Sequence, residues 1–169
     1  TFSRRSSFTE NGYDEIQYEI STNPGESLKP LGKIVSGGEL SRIMLAIKAV
    51  LADTDDIPTL IFDEIDTGIS GRTAQKVSEK LSYIARSHQV ICITHLPQIA
   101  AMADTHFEIA KSAAAGSTTT TIHPLCGDEM VKELARLLGG AKITDAVYDN
   151  AREMKILADQ SKLYKTVNN

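Results

Sequence analysis

Thr59-Leu60-Ile61-Phe62-Asp63-Glu64-Ile65-Asp66-Thr67-Gly68-Ile69-Ser70-Gly71 is the stretch on which the fold turns. Leu60 to Phe62 is a short apolar run of large and β-branched side chains, which predicts a buried strand rather than a helix. Two carboxylates, Asp63 and Glu64, follow at once. A third acid, Asp66, and a glycine-bracketed loop come next. In an open α/β sheet, ligands sit just beyond the carboxyl ends of the strands. Adjacent acids at that edge are unfavourable unless they bind a cation or do chemistry. Asp63 is thereby placed to hold Mg2+, directly or through water, and Glu64 to polarise a water beside it. A plainer reading stands next to this one, since Asp often opens a turn or caps a helix.

Working outward, Ile34-Val35-Ser36-Gly37-Gly38-Glu39-Leu40-Ser41-Arg42 leads into apolar residues Leu40, Ile43, Met44, Ile47, Val50 and Leu51. That spacing is helical, so Ser36-Gly37-Gly38 falls at a helix N-terminus. Two glycines permit close backbone approach and the first-turn N–H groups are unpaired, which suits an anion. The alternative is an ordinary serine cap with a glycine turn. On the other side, residues 72–86 read as a helix with Ala74, Val77, Leu81, Ile84 and Ala85 on one face. Val90 to Thr94 is a second apolar strand that ends at His95, and Pro97 opens a short helix through Met102. Strand, helix, strand predicts a right-handed crossover between parallel neighbours. Asp63, Glu64 and His95 would then lie along one sheet edge.

The remainder is less informative. Residues 1–11 are polar, with Arg4 and Arg5, and are expected to be poorly ordered. Tyr13 to Ile20 alternates roughly as a strand. Ser21 to Lys33 carries Asn23-Pro24-Gly25 and Pro30 and reads as a loop. Residues 105–111 and 118–123 suggest a hairpin. Residues 129–138 suggest a helix stopped by Gly139-Gly140. A last amphipathic helix runs from Asp145 to about Leu163, with 164–169 expected as a frayed tail.

The 169 residues suffice for one domain with a core, 1–169, and the composition, 41% hydrophobic and 24% charged, is that of a soluble globular protein. No apolar run has membrane-spanning length, and no signal peptide opens the chain. It begins at Thr1 without Met, so a fragment or processed product is expected. A net charge of −4 argues against a generic nucleic-acid clamp, and DNA contact would need a local basic patch or residues outside the chain. Cys92 and Cys126 make no spaced framework, and the place of Cys92 within the predicted buried strand suits a reduced intracellular thiol. With no Trp and 5% aromatics, no stacking platform for single strands is evident.

Several chemistries fail on spacing. The lone Gly-Lys, Gly32-Lys33, has Ile34 where a phosphate loop needs a hydroxyl and Ser27 where it needs glycine. Gly68-Ile69-Ser70-Gly71 approaches a nucleophile elbow, but Arg72 stands where the second glycine belongs. His88 and His95 sit at opposite ends of one strand and cannot share a metal. His106 and His123 read as ordinary strand residues.

These residues together carry a resemblance. Ser36-Gly37-Gly38-Glu39-Leu40 resembles the signature motif of ABC-type ATPases, and Leu60-Ile61-Phe62-Asp63-Glu64 their Walker B strand with its catalytic Glu. Ile65-Asp66-Thr67-Gly68 resembles the D-loop, and Thr94-His95 the switch histidine. The fuller wording of 36–42, 62–71 and 93–100 is similar to SMC-like bacterial DNA repair proteins, strongly from Pro24 to Lys111 and loosely elsewhere. The resemblance implies an α/β fold, the C-terminal lobe of an ABC/SMC-type P-loop ATPase head. Such a lobe has a mainly parallel sheet flanked by helices, a β-hairpin and C-terminal helices.

It also implies ATP and Mg2+, with Asp63 on the metal, and Glu64 and His95 as the catalytic pair. Glu64 would orient or deprotonate water; His95 would contact the γ-phosphate or hold that water in line. Ser36, Gly37, Gly38 and Glu39 would meet nucleotide on a second head in an ATP-dependent homodimer, and Asp66 would lie at the dimer seam. An N-terminal half with the Walker A loop and a coiled coil would complete the head, and this fragment alone would be inactive. The setting implied is cytoplasmic and nucleoid-associated, with DNA and no membrane, in recombinational repair of double-strand breaks. The alternatives are the head of another SMC or ABC ATPase, a transporter subunit included, or a non-catalytic interaction domain on the same fold.

Overall fold

The computed structural model describes residues 1–21, 25–33, 36–52, 54, 56–114, 117–140 and 142–167. The turn expected at Asn23-Pro24, the Ile34-Val35 lead-in to the signature-like helix and the last two residues of the expected tail lie outside the described residues.

The chain opens with a hairpin, not with the irregular segment expected for 1–11. Phe2–Thr9 (β1) pairs antiparallel with Gly12–Ile16 (β2), from Phe2 opposite Ile16 to Thr9 opposite Gly12. Gly12 makes the reversal at φ +96°, a conformation open to glycine. Every residue of β1 is exposed, so no apolar period marks it. Backbone pairing, the Arg4–Asp14 and Arg5–Glu15 ion pairs and the Phe8–Tyr13 ring contact hold it instead. Two short strands follow, Glu19–Ile20 (β3) and Lys29–Pro30 (β4), again antiparallel. The stretch expected as a loop therefore ends in a strand and a 3-10 turn, Leu31–Lys33.

The centre follows the sequence more closely. Gly37–Leu51 (α1) precedes Thr59–Phe62 (β5), Gly71–Ile84 (α2) and Gln89–Cys92 (β6). Strands β5 and β6 are parallel neighbours, in register from Thr59 opposite Gln89 to Phe62 opposite Cys92. Pro97–Ala100 (α3) carries its proline in the first turn, where no N–H is needed. His106–Ala114 (β7) and Ser117–Leu125 (β8) form the expected hairpin. Asp128–Gly139 (α4) stops at Gly140, φ +61°, and Asp145–Val167 (α5) closes the order. The helix α5 thus extends beyond the expected boundary at Leu163. Residues 164–167 contain no Gly or Pro, and each further turn adds backbone bonds. The α/β expectation holds, with β5–β6 as the parallel sheet and the other three ladders antiparallel among the described residues.

Two apolar clusters meet at α3. Leu45, Leu60, Phe62, Ile65, Val77, Leu81, Ile84 and Ile99 form one; Ala100, Ala101, Met102, Leu134, Ala135, Ala151 and Ala158 form the other. Among the described residues the sheet is covered on one face only. Leu60 and Phe62 are buried while Ile61 between them is 68% exposed, and Ile91 and Ile93 of the adjoining segment are also open. A continuous apolar run predicts burial on both faces; among the described residues the second face has no cover. Helix α1 repeats the pattern. Leu45 is its buried contact, while Leu40, Met44, Ile47, Val50 and Leu51 are exposed.

Candidate active site

The acids lie in a turn that α1 clamps. After β5 the chain folds back, with Thr67 N–H donating to the Glu64 carbonyl (3.0 Å) and Ile69 N–H to that of Asp66 (3.3 Å). Asp63 Oδ1 accepts from Glu64 N–H at 2.8 Å. Glu64 itself sits at φ +57°, a left-handed conformation that is unusual without glycine and needs outside support. Helix α1 supplies it. Ser41 Oγ donates to the Asp63 carbonyl (2.8 Å), and Arg42 Nη1 to those of Ile65 (3.1 Å) and Thr67 (2.8 Å).

Gly38 lets the helix approach this closely. It is buried, and a Cβ there would stand 2.9 Å from both the Glu64 and Thr67 carbonyl oxygens. A Cβ on Gly37 would overlap Glu64 Oε2, so the Glu64 side chain rests against the start of α1. Ser36 occupies the N-cap with extended backbone, yet its side chain makes no capping hydrogen bond. The plain-cap alternative for Ser36 lacks its defining contact. Glu39 is half-buried in the first turn of α1.

The end of β6 is tied to the same turn through Asp66. It is 4% exposed, and its Oδ2 takes Thr94 Oγ1 (2.6 Å), His95 N–H (2.8 Å) and His95 Nδ1 (2.9 Å). Ile65 and Asp66 point inward because the turn buries them; exposure passes to Asp63 and Glu64. Burial pushes the Asp66 carboxyl up, but the Thr94 hydroxyl, the His95 N–H and the His95 charge outweigh it, and the net is below its usual value. A carboxyl lowered on folding stabilises the fold above its unfolded pKa, and loses that contribution as pH falls through the folded one. From matched stability at neutral pH, the parent should therefore lose more stability than Asp66→Asn as pH falls, and its acid unfolding should begin at the higher pH, as read from melts between about pH 6 and 2.

Asp63 and Glu64 are exposed at the end of β5, with the α1 start against Glu64 and His95 linked to the turn by Asp66. Ser41, Arg42 and Thr94, to which the sequence pointed no role, hold these parts in place. Ser41 and Arg42 act on carbonyls 22 to 25 residues away, a link no local pattern carries. Cys92 lies half-buried nearby, and burial with the Asp66 and Asp63 charges pushes its thiol up to about 12. It stays protonated at neutral pH and is no nucleophile. No group of three His, Cys, Asp or Glu able to hold a metal occurs among the described residues. Mg2+ usually takes one or two carboxylates together with substrate phosphates and water, so the exposed Asp63 carboxylate fits that role.

A glycine-started helix is thus clamped on the acidic turn of a parallel strand, with a histidine closing the next strand, in an α/β arrangement. Over about nine tenths of its own length the chain matches curated RecN sequences, as a RecN fragment would. It is 51% identical over 154 residues to DNA repair protein RecN of Bacillus subtilis, covering 91% of this chain and 27% of that one. Against RecN of Halalkalibacterium halodurans it is 48% identical over 155 residues, 92% of this chain and 27% of the relative. Against that of Vibrio cholerae it is 47% identical over 147 residues, 87% and 26%. The chain thus spans about a quarter of the length of these curated relatives. A solved structure from work on ATP-driven dimerization and DNA-stimulated activation of SMC ATPases aligns with TM-score 0.46 and 23% identity, covering 70% of this chain and 78% of that one. No family model matches. No helix is long and apolar enough to cross a membrane among the described residues.

Proposed function

We propose that residues 1–169 form the C-terminal lobe of an ATP-hydrolysing head that works in recombinational repair of DNA double-strand breaks, in the bacterial cytoplasm near the nucleoid. The observation that carries this is the clamped edge: Gly37-Gly38 against the Asp63–Thr67 turn, with His95 fastened to the same turn. Its acids have no phosphate loop in the chain to face. The uncovered face of β5–β6 and the open apolar residues of α1 suit an N-terminal half that brings that loop and a coiled coil.

In this reading Asp63 helps hold Mg2+, which neutralises charge on the transferring phosphoryl group. Glu64 takes up or directs the proton of the attacking water. His95 presents its exposed ring to the γ-phosphate or to that water. Ser36, Gly37, Gly38 and Glu39 open toward nucleotide held by a second head, where the α1 N–H groups offer an anion site. ATP then joins two heads, and its hydrolysis frees them; DNA is engaged by the full-length protein.

The isolated chain should bind ATP weakly and hydrolyse none. Calorimetry giving a Kd of about 1 μM or tighter would defeat the half-site reading. Mixing the chain with its matching N-terminal half should restore DNA-responsive, Mg2+-dependent turnover. Failure of a folded, associated mixture to hydrolyse ATP favours a non-catalytic interaction domain instead.

A further inference from the structure

We propose that Asp66, braced by Thr94, is the positioning residue of His95: it holds the imidazole by Nδ1 so that Nε2 alone faces the nucleotide edge. The inference rests on the function proposed above for His95, but its geometry stands apart from it. Asp66 is almost fully buried while the His95 side chain is 72% exposed. A long ring on the surface would ordinarily sample several rotamers. Here its backbone N–H and its Nδ1 both lie within 2.9 Å of one oxygen, Asp66 Oδ2. Two points of attachment on one residue fix χ1 and ring tilt together.

The third donor explains why that oxygen stays put. Thr94 Oγ1 donates to the same Oδ2 at 2.6 Å and accepts from Leu96 N–H at 3.1 Å. Thr94 thus ties the carboxylate to the residue before α3, so the acceptor is anchored on β5's turn and on the α3 entry at once. The carboxyl is held below its usual range and is ionised at neutral pH, hence acceptor only. Nδ1 must then carry the hydrogen, and Nε2 is left as the outward nitrogen. Which nitrogen acts is commonly decided by the bond the other makes. A merely structural tie between the strand ends would need the Thr94 and His95 backbone bonds but not the one to Nδ1.

The test begins with the unaltered full-length protein, labelled with 15N-histidine, with the His95 signals identified by His95→Gln. In the neutral form of the ring, two-bond nitrogen–proton spectra should show Nδ1 protonated and Nε2 bare. A bare Nδ1 in that spectrum overturns the inference without any variant having to fold. In Asp66→Ala, checked by its melt, the ring should shift toward the Nε2–H form that unconstrained imidazole favours; an unchanged tautomer also overturns it. Turnover adds a second arm. Asp66→Ala should lower kcat about 10- to 100-fold with KM near the parent's, the range seen when a working histidine loses its orienting partner. Asp66→Asn, which keeps an acceptor, should recover part of that. Asp66→Ala combined with His95→Ala should be no slower than His95→Ala alone; losses that multiply overturn the link. Near-normal turnover in His95→Ala would sink the catalytic reading of His95, while the spectra would still decide whether Asp66 orients it.

Discussion

Glu64→Gln in the full-length protein should bind ATP nearly as well as the parent and turn it over ~10²-fold more slowly or worse. The substitution keeps the length and shape of the side chain and removes the capacity to take a proton. The backbone beneath it should not move. The left-handed conformation of Glu64 is maintained by Ser41 and Arg42, which hold main-chain carbonyls and not the carboxylate. What is lost in stability is the attraction between a carboxylate and the start of α1, about 0.3–1 kcal/mol at an exposed helix end. A 10²-fold loss of rate is about 2.7 kcal/mol, so a melt and a turnover assay on one sample separate the two effects. ATP-bound dimers should persist in gel filtration, because the step that frees the heads is the one blocked. Near-normal hydrolysis would remove Glu64 from the role and leave its strained backbone without a functional reason.

The parts legible in the sequence are those with a period and those with a motif. Strands β5 and β6, α2 with Ala74, Val77, Leu81 and Ile84 buried, and the α4 stop at Gly140 follow from spacing and glycine chemistry alone. Strand β1 escaped because all its side chains are exposed; pairing by main chain and ion pairs has no apolar signature. The contacts of Asp66 carry no local signal for a different reason: only the fold shows that Ile65 and Asp66 turn inward together. The uncovered Ile61, Ile91 and Ile93 mark a third limit. An apolar run tells how much surface must be covered, not which chain segment covers it. Among the described residues, a core that reads as two-sided is closed on one side.

Gly37 and Gly38 are adjacent in sequence, yet alanine should separate them sharply. At position 38 the new Cβ meets two backbone oxygens at 2.9 Å, of Glu64 and Thr67, and Arg42 Nη1 at 3.0 Å. Main-chain oxygens that close a turn cannot swing aside, so α1 must retreat from the Asp63–Thr67 turn. Overpacking of this kind costs about 1–3 kcal/mol, outweighing the ~1 kcal/mol that alanine gains over glycine inside a helix. Retreat also lengthens the Ser41 and Arg42 bonds that set Asp63 and Glu64, and displacements near 1 Å at reacting groups cost about 10²-fold in rate. Gly38→Ala should therefore lose both stability and turnover. At position 37 the overlap is with Glu64 Oε2, the free end of a flexible side chain, and nothing main-chain stands within reach. That end can rotate away, so Gly37→Ala should melt within about 1 kcal/mol of the parent, with the helix gain offsetting the displaced contact. Its defect should appear only where the start of α1 must approach phosphate on the second head, as weakened ATP-dependent dimerisation. Equal melts for the two variants would contradict the tight seating of Gly38 on the acidic turn. Full dimerisation by Gly37→Ala would show that the start of α1 does not contact the second nucleotide.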